Sequence, residues 1–156
     1  MIELRSWEAG DGPAFARYAC DPAVARFMNP GFPRTPEACA RVVAELAAAD
    51  PKVQDCRAIV VDGEVAGSVG LFLQGDGTAA VAYWLGVPFQ GKGRMAKLLP
   101  EFCRAAFQRY PITALTARPH RDNAASRRTL ERAGFQLSGD GETYILCLEN
   151  RYDRFI

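Results

Sequence analysis

The chain has 156 residues and a mass of 17.1 kDa, the usual size of one domain, and its 49% hydrophobic and 24% charged residues exclude disordered, collagen-like and coiled-coil classes. No apolar run approaches the roughly 20 residues needed to cross a bilayer, and charges at Glu3 and Arg5 stand where a signal peptide needs its apolar core, so a cytoplasmic protein without membrane association is expected. The net charge of +1 conceals a basic block. From Gln90 to Ala133 ten basic residues face three acidic ones, a net +7, against nine basic and fifteen acidic elsewhere, a net −6. One face is therefore expected to meet an anion, unless the block is a solvated arginine-rich helix face.

The predicted elements run as follows. Ile2 to Trp7 alternate as a strand, and Asp11-Gly12-Pro13 open a helix to about Cys20. Asp21-Pro22 interrupts it, and the Pro- and Gly-rich stretch from Asn29 to Pro33 is a loop. A second helix opens at the Thr35 cap, keeps helical spacing through Cys39, Val42, Val43 and Leu46, and stops at Asp50-Pro51. A meander follows: Arg57 to Val61, an Asp62-Gly63 turn, Glu64 to Leu73, a Gly75-Asp76-Gly77 turn, and Ala79 to Val87. A helix from about Gly93 to Tyr110 carries Met95, Leu98, Leu99, Phe102, Ala106 and Phe107 on one stripe. Ile112 to Ala117 is a strand, Ala124 to Ala133 a helix stopped by Gly134, and Phe135 to Ser138 and Glu142 to Glu149 are the last strands. The expected class is α/β (α+β): one domain over residues 1–156, with a mixed, mostly antiparallel sheet of about seven strands flanked by four helices.

Chemistry concentrates in two places. After the strand ending Tyr83-Trp84-Leu85-Gly86-Val87, the loop Gln90-Gly91-Lys92-Gly93-Arg94-Met95-Ala96 enters a helix. A helix start offers unpaired N–H groups and partial positive charge, so glycines that let a phosphate come close make an anion site there; an ordinary glycine-rich connection is the alternative. Gly91-x-Gly93-x-x-Ala96 also matches a dinucleotide fingerprint, but it follows an antiparallel meander and no acid stands near Ala114 to Ala117 to hold a ribose. The second place is Asn123-Ala124-Ala125-Ser126. Asn123 is explained as a helix cap, while Ser126 in the first turn either faces a ligand or is solvated. Five cysteines, Cys20, Cys39, Cys56, Cys103 and Cys147, without a C-x-x-C pair, read as reduced core thiols, and no metal site is expected.

Taken together, these motifs resemble the GNAT superfamily of acetyl-CoA-dependent N-acetyltransferases, whose pattern Gln/Arg-x-x-Gly-x-Gly/Ala is met by Gln90-Gly91-Lys92-Gly93-Arg94, with Met95 where Gly or Ala is usual. Tyr83-Trp84-Leu85-Gly86, Asn123-x-x-Ser126 and Ala133-Gly134-Phe135 extend the resemblance to the branch that acetylates ribosomal-protein N-termini. It implies a splay between the fourth and fifth strands and acetyl-CoA as acetyl donor. The cofactor contacts it implies are Leu85, Val87, Gln90, Gly91, Lys92, Gly93, Arg94, Met95, Ala96, Asn123 and Ser126. The N–H of Leu85 or of its neighbour would donate to the carbonyl oxygen, Ser126 would protonate the leaving thiolate, and His120 would take the amine proton through water, unless it is a surface histidine without a role. The acceptor would be a primary amine, on a small molecule or a protein N-terminus, between Phe27 to Phe32 and the last strands near Tyr144. Relatives commonly carry glutamate near Ala80, where this chain has Ala79-Ala80, and Pro100 falls inside a helix and should disturb the turn at Ala96. The rival readings are a weakly catalytic acyl-CoA-binding or sensing protein and a nucleic-acid module. The second is disfavoured because the arginines are not interleaved with aromatics. A monomer and a homodimer are both left open.

Overall fold

A computed structural model describes residues 1–148 of the protein. Its strands are β1 (Ile2–Ser6), β2 (Gln54–Val61), β3 (Glu64–Leu73), β4 (Thr78–Leu85), β5 (Ala114–Ala117), β6 (Gln136–Leu137) and β7 (Tyr144–Cys147). The helices are α1 (Gly12–Ala19), α2 (Pro22–Ala25), α3 (Pro36–Ala48), α4 (Arg94–Arg109) and α5 (Ala124–Arg132). The strands form one seven-stranded sheet in the order β1-β2-β3-β4-β5-β7-β6. Its parallel pair is β4 with β5, as the predicted mixed sheet requires. That register covers Thr78, Ala79 and Ala80 against Ala114, Leu115 and Thr116, and β4 continues beyond it to Leu85. The chain divides into two compact units, one of Met1–Phe72 with Ala82–Gln90, the other of Leu73–Val81 with the residues from Gly91 onward.

In the first unit, the Asp62-Gly63 turn takes φ of 49° and 84°, the doubly positive geometry of a tight hairpin, and sets β2 antiparallel to β3. The core lies between this sheet and α1 and α3: Trp7, Phe15, Ala19, Cys39, Val43, Ala58, Val60 and Trp84 are buried together. Phe15 anchors it, with ring centroids 5.2 Å from both Trp7 and Trp84. Thr35 caps α3 as expected, its hydroxyl accepting from the Ala38 N–H at 3.2 Å. Val42 and Leu46, expected on the buried face, are only partly buried.

Three readings need correction here. Trp7 lies past the end of β1, and its indole is buried in the core. The stretch after Asp21 forms the short helix α2, because Pro22 fits a first turn and the Asp21 carboxylate accepts from the Ala23 N–H at 2.9 Å. Strand β2 starts at Gln54 rather than Arg57, since its polar first residues pair with Val69 to Phe72 of β3. The Pro- and Gly-rich loop is held by a side chain the sequence did not single out. The Arg34 guanidinium donates to the carbonyls of Phe32, Ala25, Pro30, Asn29 and Met28 at 2.8, 3.1, 3.2, 3.3 and 3.4 Å.

In the second unit, α4 buries Met95, Leu99, Phe102, Cys103, Ala106 and Phe107, the predicted stripe with Cys103 in place of Leu98, and continues unbroken through Pro100. Helix α4 packs against α5. Strand β5 begins at Ala114 rather than Ile112, because the Ile112 N–H turns back to the Tyr110 carbonyl at 2.9 Å. The last hairpin is shorter than predicted. Asp140 accepts from the N–H groups of Glu142 and Thr143, both at 2.8 Å, and from the hydroxyls of Ser138 and Thr143, so these residues form the turn and not the strand. The predicted end of β7 at Glu149 lies outside the described residues. All five cysteines are free thiols: Cys39 and Cys103 are fully buried, Cys20 and Cys56 pack partly buried against the first unit's core, and Cys147 is half-buried.

Candidate active site

The strand end comes first. Gly86 donates to the Ala66 carbonyl at 2.8 Å, so by strand alternation the Leu85 N–H and carbonyl point to the opposite edge. There the Leu85 carbonyl accepts from the Gln90 side-chain amide at 2.8 Å, which ties the loop back to the strand. Val87, expected to end the strand, instead begins a 3-10 turn to Phe89 and is 43% exposed, because Pro88 and the Phe89 N–H to Gly86 carbonyl bond curl the chain. Beneath this end lies Tyr18, which sequence spacing did not reveal. Its hydroxyl donates to Glu64 at 2.5 Å, and its ring meets Phe89 edge-on at 5.3 Å.

The glycine loop follows. Gly91 and Gly93 have φ of 77° and 73°, a region that L side chains rarely adopt, and a Cβ on either would meet nothing within 4 Å. These glycines thus serve the turn of the chain, and the space beside them is open. Gly93 precedes α4 without any side-chain cap, and the first helical bond runs from the Lys97 N–H to the Gly93 carbonyl at 3.1 Å. Lys92 and Lys97 are exposed and Arg94 is half-buried around this helix start.

At the second constellation, the Asn123 side chain accepts from the Ser126 N–H at 3.1 Å and caps α5, as the sequence predicts. Ser126 is half-buried in the first turn. His120 is exposed and closes the preceding turn: its Nδ1 accepts from the Asp122 N–H at 3.1 Å, and its carbonyl accepts from the Asn123 N–H at 2.9 Å. With Nδ1 accepting, neutral His120 carries its proton on Nε2. Tyr144, expected at the acceptor wall, is 3% exposed and donates from its hydroxyl to Glu131 at 3.2 Å, so it packs the interior of its unit. Ala80 brings no carboxylate. Among the described residues no group of three or more His, Cys, Asp or Glu could hold a metal ion, and no helix is long and apolar enough to cross a membrane.

The site thus sits on a mostly antiparallel seven-stranded sheet with a parallel β4–β5 pair, where a glycine loop after the fourth strand and its 3-10 turn opens α4. The family described as "Acetyltransferase (GNAT) domain" matches residues 2–136, and the chain belongs to it. No curated protein matches the chain. Among solved structures, it is similar to RimL, the ribosomal L7/L12 alpha-N-protein acetyltransferase in complex with coenzyme A, at 20% identity over 96% of this chain and 95% of that one, with a TM-score of 0.81. It is similar at 17% identity to an acetyltransferase (GNAT family) from Bacillus anthracis, over 95% of each chain, with a TM-score of 0.81. The aminoglycoside acetyltransferase AAC(6')-Ib in complex with coenzyme A shares 16% identity over 100% of each chain, with a TM-score of 0.78. At these identities the likeness concerns the fold.

Proposed function

We propose that the chain acts as one cytoplasmic domain that moves an acetyl group from acetyl-CoA to a primary amine, on a protein N-terminus or a small molecule, by direct attack of the amine. The observation that carries this reading is the α4 start: two positive-φ glycines, open space beside them, and a cap residue, Gly93, that has no side chain to offer the first N–H groups. Those features fit a diphosphate. Its oxygens would be held by N–H groups from Gly91 to Ala96, with Lys92, Arg94 and Lys97 supplying charge; the Gln90 N–H, expected among them, already donates to the Val87 carbonyl at 3.2 Å. Acetyl-CoA, when bound, supplies the acetyl group as a thioester. The Leu85 N–H, on the strand edge away from Ala66, would donate to the carbonyl oxygen, while Gln90 keeps the Leu85 carbonyl occupied. Because the chain turns at Val87, pairing with an extended pantetheine would be confined to the strand up to Leu85. Asn123 fixes the first turn of α5, and the Ser126 hydroxyl held there would give a proton to the departing sulfur. His120 would serve as a base only after its Nδ1 releases the Asp122 N–H.

Thermal unfolding with and without ligand tests this. Acetyl-CoA at 100-fold over its Kd is expected to stabilise the protein by about 2.7 kcal/mol, NAD not at all, and Gly93→Glu should fold yet lose the response, through blocked approach and charge repulsion. Equal stabilisation by NAD, or a full response in Gly93→Glu, would refute the loop assignment. Thiol release across an amine panel then separates transfer from mere acyl-CoA binding, the reading that Ala80 favours.

A further inference from the structure

Two of the cysteines stand together. Cys20, the residue that ends α1, and Cys39, in the first turn of α3, have sulfurs 3.8 Å apart, and the same two helices approach so closely that a Cβ on Gly12 would come within 3.1 Å of the Ala40 Cα. A disulfide needs sulfurs at about 2.05 Å, a closure of under 2 Å that side-chain rotation and small helix shifts can supply. The environments are unequal. Cys39 is fully buried, and that burial, with the neighbouring Cys20 sulfur, pushes its thiol up to about 12. Cys20 is half-exposed, so an oxidant reaches it first.

We propose that Cys20 and Cys39 are an oxidisable pair that closes to a disulfide in the folded protein under peroxide, bridging α1 to α3 around the segment that contains α2 and the Arg34-held loop. The Cys20 thiolate attacks hydrogen peroxide, breaking its O–O bond to give a sulfenic acid and hydroxide, which takes the thiol proton as water. Cys39 sulfur then attacks the Cys20 sulfur; the S–O bond breaks, the Cys39 proton leaves with the hydroxyl as a second water, and the S–S bond forms. Two thiols have lost two electrons and two protons to one peroxide. A thiol reductant reverses the step. Nothing in this proposal depends on the acetyl-transfer reading.

The test treats the full chain with hydrogen peroxide, blocks remaining thiols with N-ethylmaleimide, and maps tryptic peptides. Cleavage after Arg17, Arg26, Arg34 and Arg41 places each cysteine in its own short peptide, 18–26 and 35–41. The expected result is a cross-linked 18–26/35–41 species two hydrogens lighter than the separate peptides, lost on reduction and absent in Cys20→Ser, with a Tm at least about 5 °C higher for the oxidised protein than for the reduced. Cys39→Ala should leave Cys20 as an isolated sulfenic acid; if that variant fails to fold, Cys20→Ser carries the comparison. Cys39 fully labelled by maleimide after unfolding, cross-links to Cys56, Cys103 or Cys147 instead, or a lower Tm in the oxidised protein would each overturn the proposal.

Discussion

Gly86 follows the strand end from which the candidate chemistry is built, and its replacement by alanine tests the packing directly. Its φ of −61° and ψ of 148° suit any residue, so Gly86→Ala costs nothing through backbone conformation. The cost is steric. A Cβ at Gly86 would lie 2.6 Å from Tyr18 Cγ, 2.8 Å from its Cβ and 3.0 Å from its Cδ1, closer than side-chain carbons ever stand. The Tyr18 ring cannot swing away freely, because its hydroxyl is bound to Glu64 and its edge-on partner Phe89 is buried. Forcing a methyl group into such a contact costs about 1–3 kcal/mol, and loosening the Tyr18–Phe89 pair adds about 0.5–1.5 kcal/mol. The hydrogen bond to Glu64, part-exposed, contributes about 1 kcal/mol at most. The sum is about 1.5–5.5 kcal/mol, a fall in Tm of about 3–22 °C for a chain of this length. Calorimetry on wild type, Gly86→Ala, Tyr18→Ala and the double variant reads it as a cycle. With the ring gone the contacts to Cγ and Cδ1 vanish while the one to the Tyr18 Cβ stays, so Gly86→Ala should cost less than in wild type by at least about 0.5 kcal/mol. An equal loss in both backgrounds, or a loss below that figure in wild type, would refute the account of why this position is glycine.

Asp11 gives a pH-dependent test. Arg5 grips both of its carboxylate oxygens, at 2.7 and 3.0 Å, and with help from the Glu8 N–H holds the carboxyl below its ordinary range. A lowered carboxyl contributes stability that is present above its unfolded pKa of about 4 and lost as pH falls through the folded value. The Tm gap between wild type and Asp11→Asn should therefore be full at pH 7 and shrink below about pH 4; a gap that stays constant in acid would show that the pair contributes nothing through its charge. Ser126→Ala should lower kcat by roughly 10²-fold while the Kd for acetyl-CoA holds, and a loss under about threefold would assign the proton to solvent. His120→Gln should flatten the pH–rate profile if the imidazole releases Asp122 to act as base, and an unchanged profile removes it from the mechanism.

Local chemistry made some of this legible. The Asp62-Gly63 turn, the Thr35 cap before Pro36, the Asn123 cap and the start of α4 beside Gly93 all follow from single residues whose conformation or side chain commits the backbone nearby. Contacts between distant residues left no such mark. Arg34 serves five carbonyls of a loop that sequence alone shows only as irregular, and Tyr18 lies under Gly86 although nothing in the spacing of either predicts it. The polar start of β2 was hidden for the opposite reason, since its pairing with β3, and not an apolar alternation, makes it a strand. His120 was legible as a titratable residue but not as one whose Nδ1 is engaged by its own turn.

The candidate donor site is made largely of backbone. N–H groups at a helix start are supplied by any residue, so in the proposed reading the residues that would aim them are Gly91 and Gly93, through their positive φ, and Gln90, through its bond to the Leu85 carbonyl. Solved acetyltransferases at 16 to 20% identity cover nearly the whole chain with TM-scores of 0.78 to 0.81, as a backbone-defined architecture permits. An amine acceptor has no comparable backbone code. Its recognition must rest on side chains, and those of Phe27 to Phe32 hang on a loop whose carbonyls Arg34 collects. In the proposed reading acceptor choice would rest on this one segment, and the amine panel is the measurement that reads it.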